Sequence, residues 1–183
     1  PIRTALDVVA SHVEFLSKLN GKDEEAQRLD TLDMLANADR RARLAQKYDD
    51  AVARLYSPLE SLARNRLLSK YKIKNNDVKA DQLPESLRAR YVQKYKDPDE
   101  SEAGLKLGLQ ASYHLLAVLD DDLGKRYLAR EKDLDKVLFM RNQSRLAHGT
   151  MPIRAEVHEQ MREIMMDFAQ ASDADLPKFP ELR

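Results

Sequence analysis

The 183-residue chain contains no cysteine and no tryptophan. Without cysteine there are no disulfides, no thiolate catalysis and no cysteine-based metal or cluster sites. Seven Tyr and four Phe offer little stacking surface, so sequence-specific readout of bases is expected to be modest. Glycine and proline are also scarce, at five and seven residues, and the prolines gather near apparent boundaries. Neither sign of charge is in excess: 31 Lys and Arg face 31 Asp and Glu. That excludes wholesale wrapping of nucleic acid but leaves room for a local basic groove. No apolar run approaches the roughly 20 residues needed to cross a bilayer. The opening PIRTALDVVASHVEFLSKLN is broken by Asp7, His12, Glu14 and Lys18, so it is no signal peptide. No membrane association is expected, and the cytoplasm is the expected location. The chain opens on Pro1 and runs almost at once into helical pattern, which points to a piece of a longer protein whose function is shared with an upstream part.

What is present is a composition that is 43% hydrophobic and 34% charged, enough for one real core. Leu6, Val9, Val13, Leu16 and Leu19 fall at helical spacing, with Asn20-Gly21 as a stop. Residues 23–46 are strong helix formers with Leu29, Leu32, Leu35 and Ala36 on one side. A third pattern starts near Tyr48 and carries Ala51, Leu55, Leu59, Leu62 and Leu67 to about Tyr71, with Pro58 inside it as a kink or joint. A loop over residues 72–84 turns at Asn75-Asn76-Asp77, and Pro84 opens a short helix that ends before Asp97-Pro98. The next helix is expected to be capped by Asp99 or Ser101-Glu102, to contain Gly104 and Gly108, and to line up Leu105, Leu109, Leu116 and Leu119. After a break at residues 120–124, two more helices are expected, over about 125–148 and 153–171, followed by a frayed tail. Sustained strand alternation is missing. The reading is an all-α bundle of six or seven helices.

The segment DLDKVLFMRNQSRLAHGTMP carries the chemistry. Leu134, Val137 and Leu138 set an apolar face, and steps of three or four along it reach Arg141, Ser144, Arg145 and His148. Arg141 and His148 are seven residues apart, two helical turns, and so project from nearly one angle. A stripe that turns from packing surface to guanidinium and then imidazole suits the floor of an anion-binding cleft. Gly149 reads as the residue just past the helix end, which puts His148 in the last turn, near the pH at which it exchanges a proton.

The string Arg141-Asn142-Gln143-Ser144-Arg145-Leu146-Ala147-His148-Gly149 resembles the Arg-x4–6-His signature of HEPN domains. Its fuller form is similar to the version in CRISPR-associated type III ribonucleases that carry an N-terminal CARF sensor and a C-terminal HEPN domain. Two further blocks agree, YDDAVARLYSPLESLAR from Tyr48 to Arg64 and DVKADQLPESLRARY, so the likeness spans roughly residues 40–160. Ser57-Pro58 departs from the pattern, where a basic residue and a small helix former are expected.

The resemblance implies a HEPN domain over residues 1–172, with 1–22 as a linker from an absent CARF domain and 173–183 as a tail. It implies a metal-independent endoribonuclease with no cofactor of its own, gated by cyclic oligoadenylate through that upstream domain. It also implies a homodimer in which two Arg–His helices face each other across one cleft and single-stranded RNA is cut by its own 2′-hydroxyl, leaving a 2′,3′-cyclic phosphate. Arg141 and His148 would be catalytic, and Asn142, Ser144 and Arg145 supporting. Independently, forked Arg donors suit a phosphorane, and an imidazole suits general acid or base work. DNA lacks the 2′-hydroxyl and should survive. The alternative is a non-catalytic helical module that dimerises or binds RNA or protein through the same surface.

Other candidates have simpler explanations. His12 and His114 lack an acidic partner at ligand spacing, so packing roles are expected. His158 lies beside Arg154 and Arg162 and could approach the cleft. Asp120-Asp121-Asp122 reads as a solvated helix cap rather than a Mg²⁺ site. The runs Asp39-Arg40-Arg41-Ala42-Arg43 and Lys70, Lys72, Lys74 could extend an RNA path, although solvated faces account for both.

Overall fold

The structure, a computed structural model, describes residues 2–21, 23–96, 104–144, 146 and 149–179. Seven α-helices occur among them: α1 (Ile2–Leu19), α2 (Glu24–Ala45), α3 (Tyr48–Tyr71), α4 (Glu85–Tyr95), α5 (Leu109–Val118), α6 (Asp122–Asn142) and α7 (Ala155–Phe168). Short 3-10 turns stand at Ala80–Gln82 and Asp173–Asp175. There is no strand among the described residues, only two isolated bridges, Val78 with Leu105 and Ser144 with Met151. The all-α expectation holds. Local chemistry sets several of the ends. Asp23 caps α2 by accepting the Ala26 N–H at 2.8 Å, and Gln46 closes it in the left-handed region at φ 50°. Pro84 precedes α4 directly, where its fixed φ suits a helix entry.

The chain forms two compact units, one of residues 1–58 and 133–183, the other of residues 59–132. In the first, α2 packs against α1 and α7. Its core includes Leu32, Leu35, Val52, Leu55, Leu134, Val137, Met161 and Ile164, each essentially removed from solvent. In the second, Tyr113 stacks on Tyr127 with ring centres 4.6 Å apart, and the buried Tyr113 hydroxyl donates to the Leu59 carbonyl at 2.8 Å. Tyr91 likewise donates to the Ala111 carbonyl at 3.0 Å, so the hydroxyls of Tyr113 and Tyr91 are buried with partners. Pro58 sits inside α3, which continues through it. It has no N–H to give the Arg54 carbonyl, and this missing rung falls at the boundary between the two units.

Three expectations need correction. Gly104, Leu105 and Gly108 are not helical, because α5 starts at Leu109 with Gly108 before it. Leu105 instead pairs with Val78 through two backbone hydrogen bonds of 2.8 and 3.0 Å. A Cβ on Gly104 would collide with Asp77, whose carboxylate accepts the Gly104 N–H at 3.1 Å. The proposed caps Asp99, Ser101 and Glu102 lie outside the described residues. Second, the break after α5 is shorter than expected, because α6 already begins at Asp122. There Gly124 allows backbone contact with Leu116 and Ala117 that a Cβ would block. Third, α6 ends at Asn142, not next to Gly149.

Candidate active site

The early end of α6 reorganises the predicted site. Asn142 and Ser144 are poor helix continuers, and the backbone finds its partners by closing a loop. Ser144 donates its N–H to the Arg141 carbonyl at 3.0 Å and accepts the Gly149 N–H at 2.9 Å. Gln143 accepts the Met151 N–H at 3.1 Å. Ser144 is buried at 2% exposure, so it anchors this closure from the inside. Gly149 is therefore not a helix terminator. Its backbone lies so close to Gln143 that a Cβ there would overlap the Gln143 carbonyl. The far side of the loop is pinned as well. The Asp49 carboxylate, in the first turn of α3, accepts the Ile153 N–H with both oxygens at 3.3 Å.

Arg141 is now the basic residue of the last turn of α6, where the helix dipole favours a cation. Its guanidinium lies over the Tyr56 ring, 4.4 Å from the centroid, and one of its N–H groups reaches the Asn142 side-chain oxygen at 3.1 Å. Ring and amide together limit how the fork can turn, while the residue remains half-buried. Arg141, Asn142 and Ser144 are thus gathered at one helix end. Arg145, Ala147 and His148 lie outside the described residues. The reading of Arg141 and His148 as two turns apart on one helix is corrected, because the helix does not reach His148. Phe139, Met140, Leu146 and Met151 are all exposed on this segment. Tyr56 and Asp49 were missed as site residues. The only signal was that both fall in the block from Tyr48 to Arg64, and which residues they touch depends on contacts about a hundred residues away.

The family model described as Csm6 HEPN domain matches residues 20–172. The chain belongs to that family. No curated protein and no solved structure matches it. It is a CRISPR-associated HEPN ribonuclease domain, and the match covers α2 through α7 and leaves α1 before it.

The remaining candidates in this HEPN domain are accounted for by packing. His158 is buried, with Nε2 3.8 Å from Asp39 and no hydrogen-bond partner among the described residues. Burial lowers its pKa from the usual 6.5, and the nearby Asp39 carboxylate opposes this only in part. Asp39 is also buried and holds Arg162 with two bonds of 2.8 and 2.9 Å and Arg43 with one of 3.0 Å. Arg162 in turn pairs with Asp173. The basic run around Arg40 is engaged by partners of this unit: Arg43 pairs with Asp39, Arg41 pairs with Asp50, and Arg40 covers the Phe179 ring.

Asp121 is not a solvated cap, which corrects the earlier reading. It is fully buried and accepts Lys70 at 2.8 Å, the Tyr71 hydroxyl at 3.0 Å and the Leu123 N–H at 3.0 Å. Burial alone would raise its pKa, but these donors outweigh it and the carboxyl is lowered. His114 does have an acidic partner, Glu131 at 2.6 Å, brought to it by α6. Among the described residues no three His, Asp or Glu side chains converge where they could hold a metal ion, and no helix is long and apolar enough to cross a membrane.

Proposed function

We propose that this chain is the effector domain of a CRISPR type III antiviral response, an endoribonuclease that cuts single-stranded RNA without a metal ion. The observation that carries this reading is the Arg141 guanidinium, fixed over Tyr56 at the end of α6 beside a loop closed by Ser144 and Gly149. A positioned fork of this kind binds the scissile phosphate and stabilises the charge that builds on its equatorial oxygens. The substrate's 2′-oxygen attacks phosphorus, the bond to the 5′-oxygen breaks, and the products are a 2′,3′-cyclic phosphate and a 5′-hydroxyl. His148 takes the proton from the 2′-hydroxyl or returns one to the leaving 5′-oxygen. Asn142 orients Arg141, Ser144 fixes the loop that carries Arg145 and His148, and Arg145 adds charge toward the RNA.

Two copies of the chain would complete the cleft as a homodimer. The exposed Phe139, Met140, Leu146 and Met151 around Arg141 support this, since a two-fold contact would cover them. Control by cyclic oligoadenylate would come from a CARF sensor domain upstream in the longer protein.

The test is end analysis of a defined oligoribonucleotide after digestion, with and without EDTA, beside Arg141→Ala and His148→Ala. Cyclic phosphate ends, indifference to EDTA and a loss of at least ~10²-fold in each variant with the fold retained are expected. Cleavage that needs Mg²⁺ and leaves 5′-phosphates would overturn the mechanism. Intact RNA, even with the full-length protein and its activator, would overturn catalysis.

A further inference from the structure

The unit formed by residues 59–132 holds an open cavity of about 450 Å³ between α3, the turn at residues 74–76 and the start of α5. That is within the size range of small-molecule sites, roughly 300–1,000 Å³. Its lining is chemically divided. Leu68, Leu107 and Leu109 supply an apolar wall, and Arg64 and Lys74 supply two cations. The Lys74 ammonium makes no hydrogen bond or ion pair among the described residues, although its backbone carbonyl accepts the Asp77 N–H at 2.9 Å. Its neighbour Asp77 is already taken by Lys79 at 2.8 Å and by the Gly104 N–H. Arg64 directs one N–H to the Ser61 hydroxyl at 3.0 Å, which leaves most of its fork unspent. Asn75 ties the turn to the opposite wall by donating to the Leu107 carbonyl at 3.3 Å, so the two sides are held at a fixed separation. A single carboxylate, Glu60, also lines the space.

Gly108 completes the wall and is the informative residue. Its φ of −73° and ψ of −175° suit any amino acid, and a Cβ there would meet nothing within 4 Å. The backbone does not require glycine at this position. The effect of having one is to leave the cavity open.

We propose that this cavity binds a ribonucleotide through its phosphate. Arg64 and Lys74 hold the phosphate oxygens and the leucine wall takes the base. The apolar wall favours a nucleotide over a bare anion, since inorganic phosphate gains nothing from it. The phosphate can belong to a free nucleotide or to one unit of single-stranded RNA. The RNA arm rests on the ribonuclease reading above, and the free-nucleotide arm does not.

The test is calorimetric titration of the 183-residue chain with AMP, with inorganic phosphate, and with a short 2′-O-methyl oligoribonucleotide that cannot be cut by 2′-oxygen attack. Three variants address the cavity: Arg64→Glu, Lys74→Glu and Gly108→Asp. Gly108→Asp is the sharpest of them, because aspartate is a better helix cap than glycine and the melting temperature should hold or rise. At the same time its carboxylate would face the bound phosphate, and affinity should fall at least ~10-fold. AMP binding lost in the variants supports a free-nucleotide site. Oligonucleotide binding weakened in the variants, with AMP inert, supports an RNA contact. RNA cleavage is measured in parallel, so loss of cleavage with AMP still bound is distinguishable from failure of this site. The proposal is overturned if neither probe binds, if the variants bind like wild type, or if phosphate alone binds as tightly as AMP.

Discussion

Replacing Gly149 by Ala adds one methyl group to the loop that carries the proposed catalytic residues, and the structure fixes what that methyl meets. It would land on the Gln143 carbonyl, well inside the 3.0 Å that real Cβ contacts do not breach. The obstacle is backbone, so no side-chain rotation relieves it. The segment after Ser144 has to retreat by an ångström or more. Two closing hydrogen bonds are lost or stretched, from Gly149 to Ser144 and from Met151 to Gln143. At about 1 kcal/mol net for each bond, the loop is destabilised by about 2 kcal/mol. The loss is local opening rather than global unfolding, because the core residues Leu134, Val137 and Ile164 are untouched. A displacement of about 1 Å between groups that must act together can cost ~10²-fold in rate. We therefore expect kcat on a fluorescent RNA reporter to fall by about two orders of magnitude while the melting temperature shifts by only a few degrees. Wild-type turnover in Gly149→Ala would refute the link between loop closure and chemistry.

Other outcomes follow from the same geometry. Tyr56→Leu removes the ring beneath Arg141 and should lower kcat/KM about 3- to 30-fold, the value of one partly desolvated cation–π contact, with RNA binding nearly intact. Asp121→Ala strands Lys70 and Tyr71 and removes a buried, fully bonded carboxylate, and should cost about 3 kcal/mol in urea unfolding. Because the Asp121 pKa is lowered in the fold, its stabilisation is present above pH 3.8 and is lost as pH falls below that, so wild type should lose more stability on acidification than Asp121→Asn. His158 behaves oppositely in charge but alike in direction: its pKa is lowered from 6.5, the unfolded chain binds the extra proton, and stability drops as pH falls below 6.5. Unfolding midpoints at pH 5.5 and 7.5 should diverge in wild type and converge in His158→Gln.

Most of the helical architecture was legible because it is written in local periodicity and caps. Asp23, Pro84 and the apolar stripes of α2 and α3 each declare their element within a few residues. The misreadings share a physical cause. Leu105 looks like the first rung of a helical stripe, but Val78, 27 residues earlier, offers it a backbone partner. Asp121 looks like one of three solvated carboxylates, yet only that one is met by Lys70, 51 residues before it. Along α6 the apolar pattern passes without a break into Arg141, and nothing local shows that Gln143 and Ser144 will take their partners from Met151 and Gly149. In each case a distant backbone or side-chain group outcompetes the local preference. The candidate residues were legible at the level of type and neighbourhood, while their support from Tyr56 and Asp49 was not.

One of the two units is assembled from both ends of the chain, and the other is the stretch between them. The first is stitched by contacts of extreme sequence separation, 123 residues from Asp39 to Arg162 and 104 from Asp49 to Ile153. During synthesis residues 59–132 are joined before Arg141 and everything after it. Closure of so long a loop is also the slow part of folding. Every shortened product that stops near residue 132 therefore contains the whole second unit and lacks Arg141. For a nuclease, that order of construction means that an incomplete chain is made without the proposed cutting residues.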